Sequence, residues 1–162
     1  MARLDWVSTT IMSEIKVAIR WKGNGPDFLK GRYSREHTWT FDGGAVVSAS
    51  SSPDVVPVPM SNPANVDPEE AFLAAVSSCH MLSFLFIACK AQFQIESYHD
   101  EAVATMAKNE RGVPWVSAAT LHPKITWSGK QPSAEELVKL HHQAHEQCFI
   151  AASIKTQVTV AS

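Results

Sequence analysis

The chain has 162 residues, 45% of them hydrophobic, and a formal charge of -2. That is enough apolar material for the core of one globular domain over residues 1–162, and too balanced a charge to point to nucleic acid or an anionic membrane surface. Its three cysteines do not make a secreted disulfide scaffold, and reduced thiols, with no secretory signal and an apolar run from Met81 to Cys89 far short of the roughly 20 residues that span a bilayer, lead to the expectation of a cytoplasmic protein.

Residues 1–13 show no clear period and read as a loosely held N-terminal arm. From Glu14 to Lys22 apolar and polar residues alternate, the mark of a half-buried strand, and Gly23 to Asp27 ends it. Arg35 to Phe41 alternates again, Asp42-Gly43-Gly44 turns the chain, and Ala45 to Ala49 returns as a third strand, making an antiparallel meander. The serine- and proline-rich stretch from Ser48 to Val66 is a loop.

Asp67-Pro68-Glu69-Glu70 has the form of a helix start: an N-cap aspartate, a proline at the first helical position and a glutamate in capping-box spacing. The helix runs to Lys90, apolar or small on almost every face from Phe72 to Cys89, so burial on all sides is expected, with Cys79 midway along it. Ser97 to Met106 and Trp115 to Trp127 are predicted strands joined by a turn at Asn109 to Gly112. Ser133 and Glu136 start a second helix that extends to about Ala152 and carries Leu137, Leu140, Ala144 and Cys148. Ile154 to Val160 closes the chain as a strand. Hairpins mixed with two helices define an α+β class with antiparallel sheet.

Cys79 and Cys148 lie on separate predicted helices. Taken alone each reads first as a small buried hydrophobe and, with a cation and a second thiol nearby, as a redox group. Cys89 is too far along the first helix to bond Cys79 and reads as structural. His80 sits about 100° around the axis from Cys79, poorly placed as its base, and is expected to pack or to meet a partner chain. His141, His145 and Cys148 recur at helical spacing and, with Cys79 or His37, could complete a zinc shell. Trp39, Trp115, Trp127, Phe84 and Phe86 are core candidates, some of which could line an apolar pocket. A cysteine hydrolase finds no glycine-rich nucleophile turn in the sequence.

Asp67-Pro68-Glu69-Glu70 followed by Cys79, ten residues after Glu69, and His145-Glu146-Gln147-Cys148 before a closing strand resemble the osmotically inducible protein C and organic hydroperoxide resistance (OsmC/Ohr-like) superfamily. The resemblance covers about residues 14–160 in element order. It implies an intertwined homodimer with two long central helices against antiparallel sheets, and a thiol-dependent peroxidase for organic hydroperoxides in oxidative stress defence. By the same resemblance Cys79 is the nucleophile, Cys148 the resolving thiol, Arg35 the thiolate stabiliser, with Arg32 as runner-up, and Glu69 its orienter. No metal or organic cofactor is implied, and an external dithiol such as a lipoyl group resets the pair. Two departures stand out: Phe149 follows Cys148 where the family usually has proline, and His80 follows Cys79. The alternative is a non-catalytic ligand- or metal-binding dimer of the same fold.

Overall fold

The computed structural model describes residues 14–23 and 25–161, so the predicted N-terminal arm lies outside the described residues. The chain divides into two compact units, one ending at Pro68 and one beginning at Glu69.

In the first unit three short strands, β1 (Val17–Arg20), β2 (His37–Phe41) and β3 (Val46–Ala49), form an antiparallel sheet in that order. Register follows from the tight turn after Phe41: Gly44 adopts φ 88, a left-handed conformation suited to glycine, and its amide donates to the Phe41 carbonyl at 3.0 Å. The register then pairs Trp39 with both Ile19 and Val47. β1 is shorter than the predicted strand and its apolar side is uncovered, with Val17 54% and Ile19 57% exposed. A 3-10 turn at Phe28–Lys30 precedes β2, where Trp21, Phe28 and Tyr33 pack their rings at 4.7 to 5.7 Å. The loop after β3 is pinned by the Ser50 amide on Val66 O (3.0 Å), the Val66 amide on Ser48 O (3.1 Å) and the Asn62 amide on the buried Ser50 hydroxyl (2.9 Å).

The long helix α1 (Pro68–Lys90) begins and ends where predicted. At 23 residues it is long and apolar enough to cross a bilayer, which the shorter apolar run did not imply. Burial on almost every face is not what the folded chain shows. Val76, His80, Ser83, Phe84, Ile87 and Ala88 form one buried stripe, while Leu82 is 48% exposed. A helix packed by one unit of its own chain can bury only the face turned to it. α1 stops in a left-handed cap: Gln92 has φ 62, its amide donates to Cys89 O (3.1 Å) and the Phe93 amide to Ala88 O (2.9 Å).

Each of the two strands predicted after α1 is two strands. Ser97 to Met106 divides between β4 (Gln94–Asp100) and β5 (Val103–Lys108), and Trp115 to Trp127 between β6 (Pro114–Leu121) and β7 (Pro123–Ser128). β4 pairs antiparallel with β7, and β5 with β6, in separate sheets. The division falls where Asp100 takes the His122 amide at 2.6 Å on one carboxylate oxygen and the Ser77 hydroxyl of α1 on the other. Pro123, which has no N–H to give a ladder, marks the same corner.

The second predicted helix breaks at Cys148 into α2 (Ala134–Gln147) and the single turn α3 (Phe149–Ala152). The predicted capping box is present: the Glu136 amide donates to Ser133 Oγ at 3.2 Å and the Ser133 amide to Glu136 Oε2 at 2.8 Å. The sheets are antiparallel as expected except at the last strand, β8 (Gln157–Val160), which pairs parallel with β6. A helical crossover returns the chain in its original direction, and only a connection of that length permits a parallel neighbour. The core of this unit is Phe84, Ile87, Ala88, Phe93, Leu140 and Ala144, with Ile125 and Trp127 packed against it.

Candidate functional site

Two elements bring the thiols of Cys79 and Cys148 together. Cys79 projects half-buried from α1, and Cys148 stands at the break between α2 and α3, where its extended backbone (φ -76, ψ 109) ends one helix and caps the next. The amide of Ile150 donates to Cys79 Sγ at 3.5 Å and that of Ala151 to Cys148 Sγ at 3.4 Å. Successive amides at the start of α3 thus hold one sulfur each. Both sulfurs gather at the first turn of α3, and neither is in a disulfide.

The environment separates their roles. Cys148 is 1% exposed, and burial, then the hydrogen bond with Cys79, pushes its thiol up to about 11, against the opposing pull of the Ala151 amide. Cys148 is therefore held protonated at neutral pH, able to donate its proton toward Cys79. Cys89, expected to be structural, is exposed.

Next to Cys79 in sequence, buried His80 pairs with half-buried His141, an association that spacing alone did not reveal. His80 Nε2 is 3.1 Å from His141 Nδ1, with the rings stacked at 5.4 Å and 9°. Phe84 lies 4.2 Å from His141. Burial lowers both histidines to about 4. For His80 the nearby His141 and His145 add to the lowering, and Asp100 works against it. His80 packs inside its own unit, and both rings are neutral at physiological pH.

This pairing also corrects the zinc reading. His141 is turned to His80, and Cys148 has left the helical face that periodicity assigned it. Among the described residues no three His, Cys, Asp or Glu side chains could hold a metal ion together.

The remaining predicted site residues lie as follows. Glu69 is half-buried in the first turn of α1. Arg35, in the first unit, is half-buried; its Nη1 donates to Gly31 O at 3.0 Å and to Tyr33 O, and its guanidinium lies 3.7 Å over the Tyr33 ring. Its backbone amide donates to Met60 O at 2.8 Å. The neighbouring Glu36 accepts from Asn62 (2.9 Å), Asn65 (3.4 Å) and Ser34 (3.3 Å), bonds that hold its carboxyl below the usual range. Sequence reasoning missed Glu36, since a carboxylate just before a strand carries no sign of partners 26 and 29 residues further on. Arg32 is exposed.

Residues 61–162 match the family model described as OsmC-like protein. Among solved structures, an OsmC-like protein of unknown function from Vibrio cholerae O1 biovar eltor is 51% identical, with a TM-score of 0.89 over 93% of this chain and 99% of its own. An organic hydroperoxide resistance protein from Elizabethkingia anophelis superposes with a TM-score of 0.67 at 19% identity, covering 96% of this chain and 99% of that one. The organic hydroperoxide resistance protein OhrB of Bacillus subtilis gives 0.65 at 18%, covering 93% and 99%. At those lower identities the likeness is one of fold. No curated protein matches the sequence.

Proposed function

The chain belongs to the OsmC-like family, and on that footing we propose that it is a thiol-dependent peroxidase that reduces organic hydroperoxides to alcohols. The observation that carries this reading is the pair of free thiols, Cys79 and Cys148, whose sulfurs are held by the successive amides of Ile150 and Ala151. In such a pair the nucleophile is Cys79. Its thiolate attacks the distal peroxide oxygen, the O–O bond breaks, the departing alkoxide takes a proton to become the alcohol, and Cys79 is left as a sulfenic acid. Cys148 then attacks the sulfenic sulfur, water leaves and a disulfide forms. An external dithiol, of the lipoyl type, returns both thiols by exchange and is itself oxidised to a disulfide.

Arg35 is assigned the stabilisation of the thiolate and of the charge that develops on the peroxide oxygens, with Glu69 as its orienter. The family's arginine in the first hairpin supports this choice, as does the half-buried position of Arg35 compared with exposed Arg32. No metal or organic cofactor enters the cycle. A homodimer belongs to the same reading, supported by the apolar side chains left exposed on β1 and at Leu82 of α1. The cytoplasm is the proposed compartment, where a dithiol reductant keeps the thiols reduced.

The test is to mix reduced protein with cumene hydroperoxide or hydrogen peroxide and follow thiol loss in the wild type, Cys79→Ser and Cys148→Ser. The wild type should consume the organic peroxide faster, Cys79→Ser should be inert, and Cys148→Ser should accumulate a trappable sulfenic acid. No thiol loss in the wild type would leave the non-catalytic dimer as the better account.

A further inference from the structure

We propose that the groove between α2 and strands β7 and β8 is a second binding site, for an uncharged, hydrocarbon-rich molecule whose single hydrogen-bond acceptor, such as a ketone or ester carbonyl, is recognised by His141. The groove has a volume of about 430 Å³, within the range of small-molecule sites. Ile125, Trp127, Leu137, Val158 and Val160 supply apolar walls, and imidazoles of α2 supply the polar edge. Neither Cys79 nor Cys148 lines it, so the inference does not depend on the peroxidase reading.

The polarity of His141 follows from its buried partner. His80 is 1% exposed, and its Nδ1 is buried with no hydrogen-bond partner among the described residues. A buried nitrogen without a partner costs less as a bare lone pair than as an N–H, because orphaned donors are the rarer defect in folded proteins. The His80 proton therefore sits on Nε2 and is donated to His141 Nδ1, 3.1 Å away. A neutral His141 must then carry its own proton on Nε2. That nitrogen is not engaged by the His80 contact, and His141 lines the groove, so the site offers a fixed N–H donor beside apolar walls.

The charge of the ligand follows from the lining. No Lys, Arg, Asp or Glu side chain borders the groove, and burial keeps His141 neutral. A carboxylate or ammonium head would lose its hydration with no Lys, Arg, Asp or Glu in the lining to meet it, and His142 at the edge is already paired with Glu146 at 3.4 Å. A carbonyl oxygen would gain the donor at little desolvation cost.

The probes are 2-octanone and octanoate, titrated into the full chain while NMR follows the Trp127 indole and the His141 imidazole nitrogens. The expected result is saturable binding of the ketone that shifts both signals, a His141 spectrum of the Nε2–H tautomer, and octanoate affinity at least about tenfold weaker. His141→Phe should weaken the ketone by roughly three- to tenfold, the worth of one hydrogen bond. Since that change also removes a partner of buried His80, Val138→Glu provides a second variant. Val138 lines the groove and is 65% exposed, so the substitution spares the core and should abolish ketone binding. The proposal is overturned if the ketone does not saturate, if octanoate binds as tightly, or if Val138→Glu leaves the ketone affinity unchanged. Signals that ignore the ketone but move on dilution would assign the groove to a second copy of the chain, which also overturns it.

Discussion

The backbone amide of Ile150 donates to Cys79 Sγ at 3.5 Å across 71 residues of sequence, and this contact fixes where the first thiol lies relative to the second. Cys148 begins the same turn of helix. One short segment thus presents a donor to Cys79 and a buried, protonated neighbour beside it.

The difference in burial predicts an order of alkylation. Iodoacetamide at pH 8 should modify exposed Cys89 and half-buried Cys79, the proposed nucleophile, well before buried Cys148, as read by peptide mass mapping. Stability has a matching alkaline window. The Cys148 thiol titrates near 9.0 when unfolded and about 11 when folded. Its contribution is complete below pH 9, and falls as pH rises toward 11 because only the unfolded chain gives up the proton there. Cys148→Ser should flatten that part of the profile; an identical alkaline loss in the variant would assign it to other groups.

The imidazole pair predicts an acid window of opposite sign. His80 and His141 titrate near 6.5 in the unfolded chain and about 4 in the folded one. Their contribution is complete above pH 6.5 and is lost as pH falls toward 4, because the unfolded chain binds protons that the folded chain refuses. Urea midpoints should drop across that interval, and His80→Gln/His141→Gln should reduce the drop. Equal slopes in both proteins would show that the pair does not titrate on unfolding.

Arg35 and Arg32 are distinguished kinetically. If Arg35 stabilises the transition state as proposed, Arg35→Ala should lower the second-order rate constant for cumene hydroperoxide by about 100-fold, the usual consequence of losing one such donor. Arg32→Ala should leave it within about twofold. The reverse pattern would transfer the role to Arg32.

Gln92 predicts a stabilising substitution. It occupies the left-handed position after α1 at φ 62, where a side chain costs about 1 kcal/mol that glycine avoids. Gln92→Gly should raise the stability in urea by up to about 1 kcal/mol, reduced by the loss of its 3.3 Å bond to Cys89 O. A lower midpoint would refute the strain at this cap.

What the sequence by itself determined was local. Pro68 at the start of α1, Ser133 and Glu136 at the start of α2, and the glycines after Phe41 act on backbone groups within a turn or two of themselves, so their effects could be read in order. The spacing of Glu69, Cys79 and Cys148 was equally legible and carried the family. Tertiary structure alone decided what lies far apart in the chain: the meeting of the two thiols, the 61-residue pairing of His80 with His141, and the place of β8 alongside β6. It also decided that α1 buries a single stripe. The physical reason is that periodicity records which side of an element is apolar, whereas the partner on that side is chosen by packing. Packing compares every face in the chain at once, and no single stretch of sequence contains that comparison.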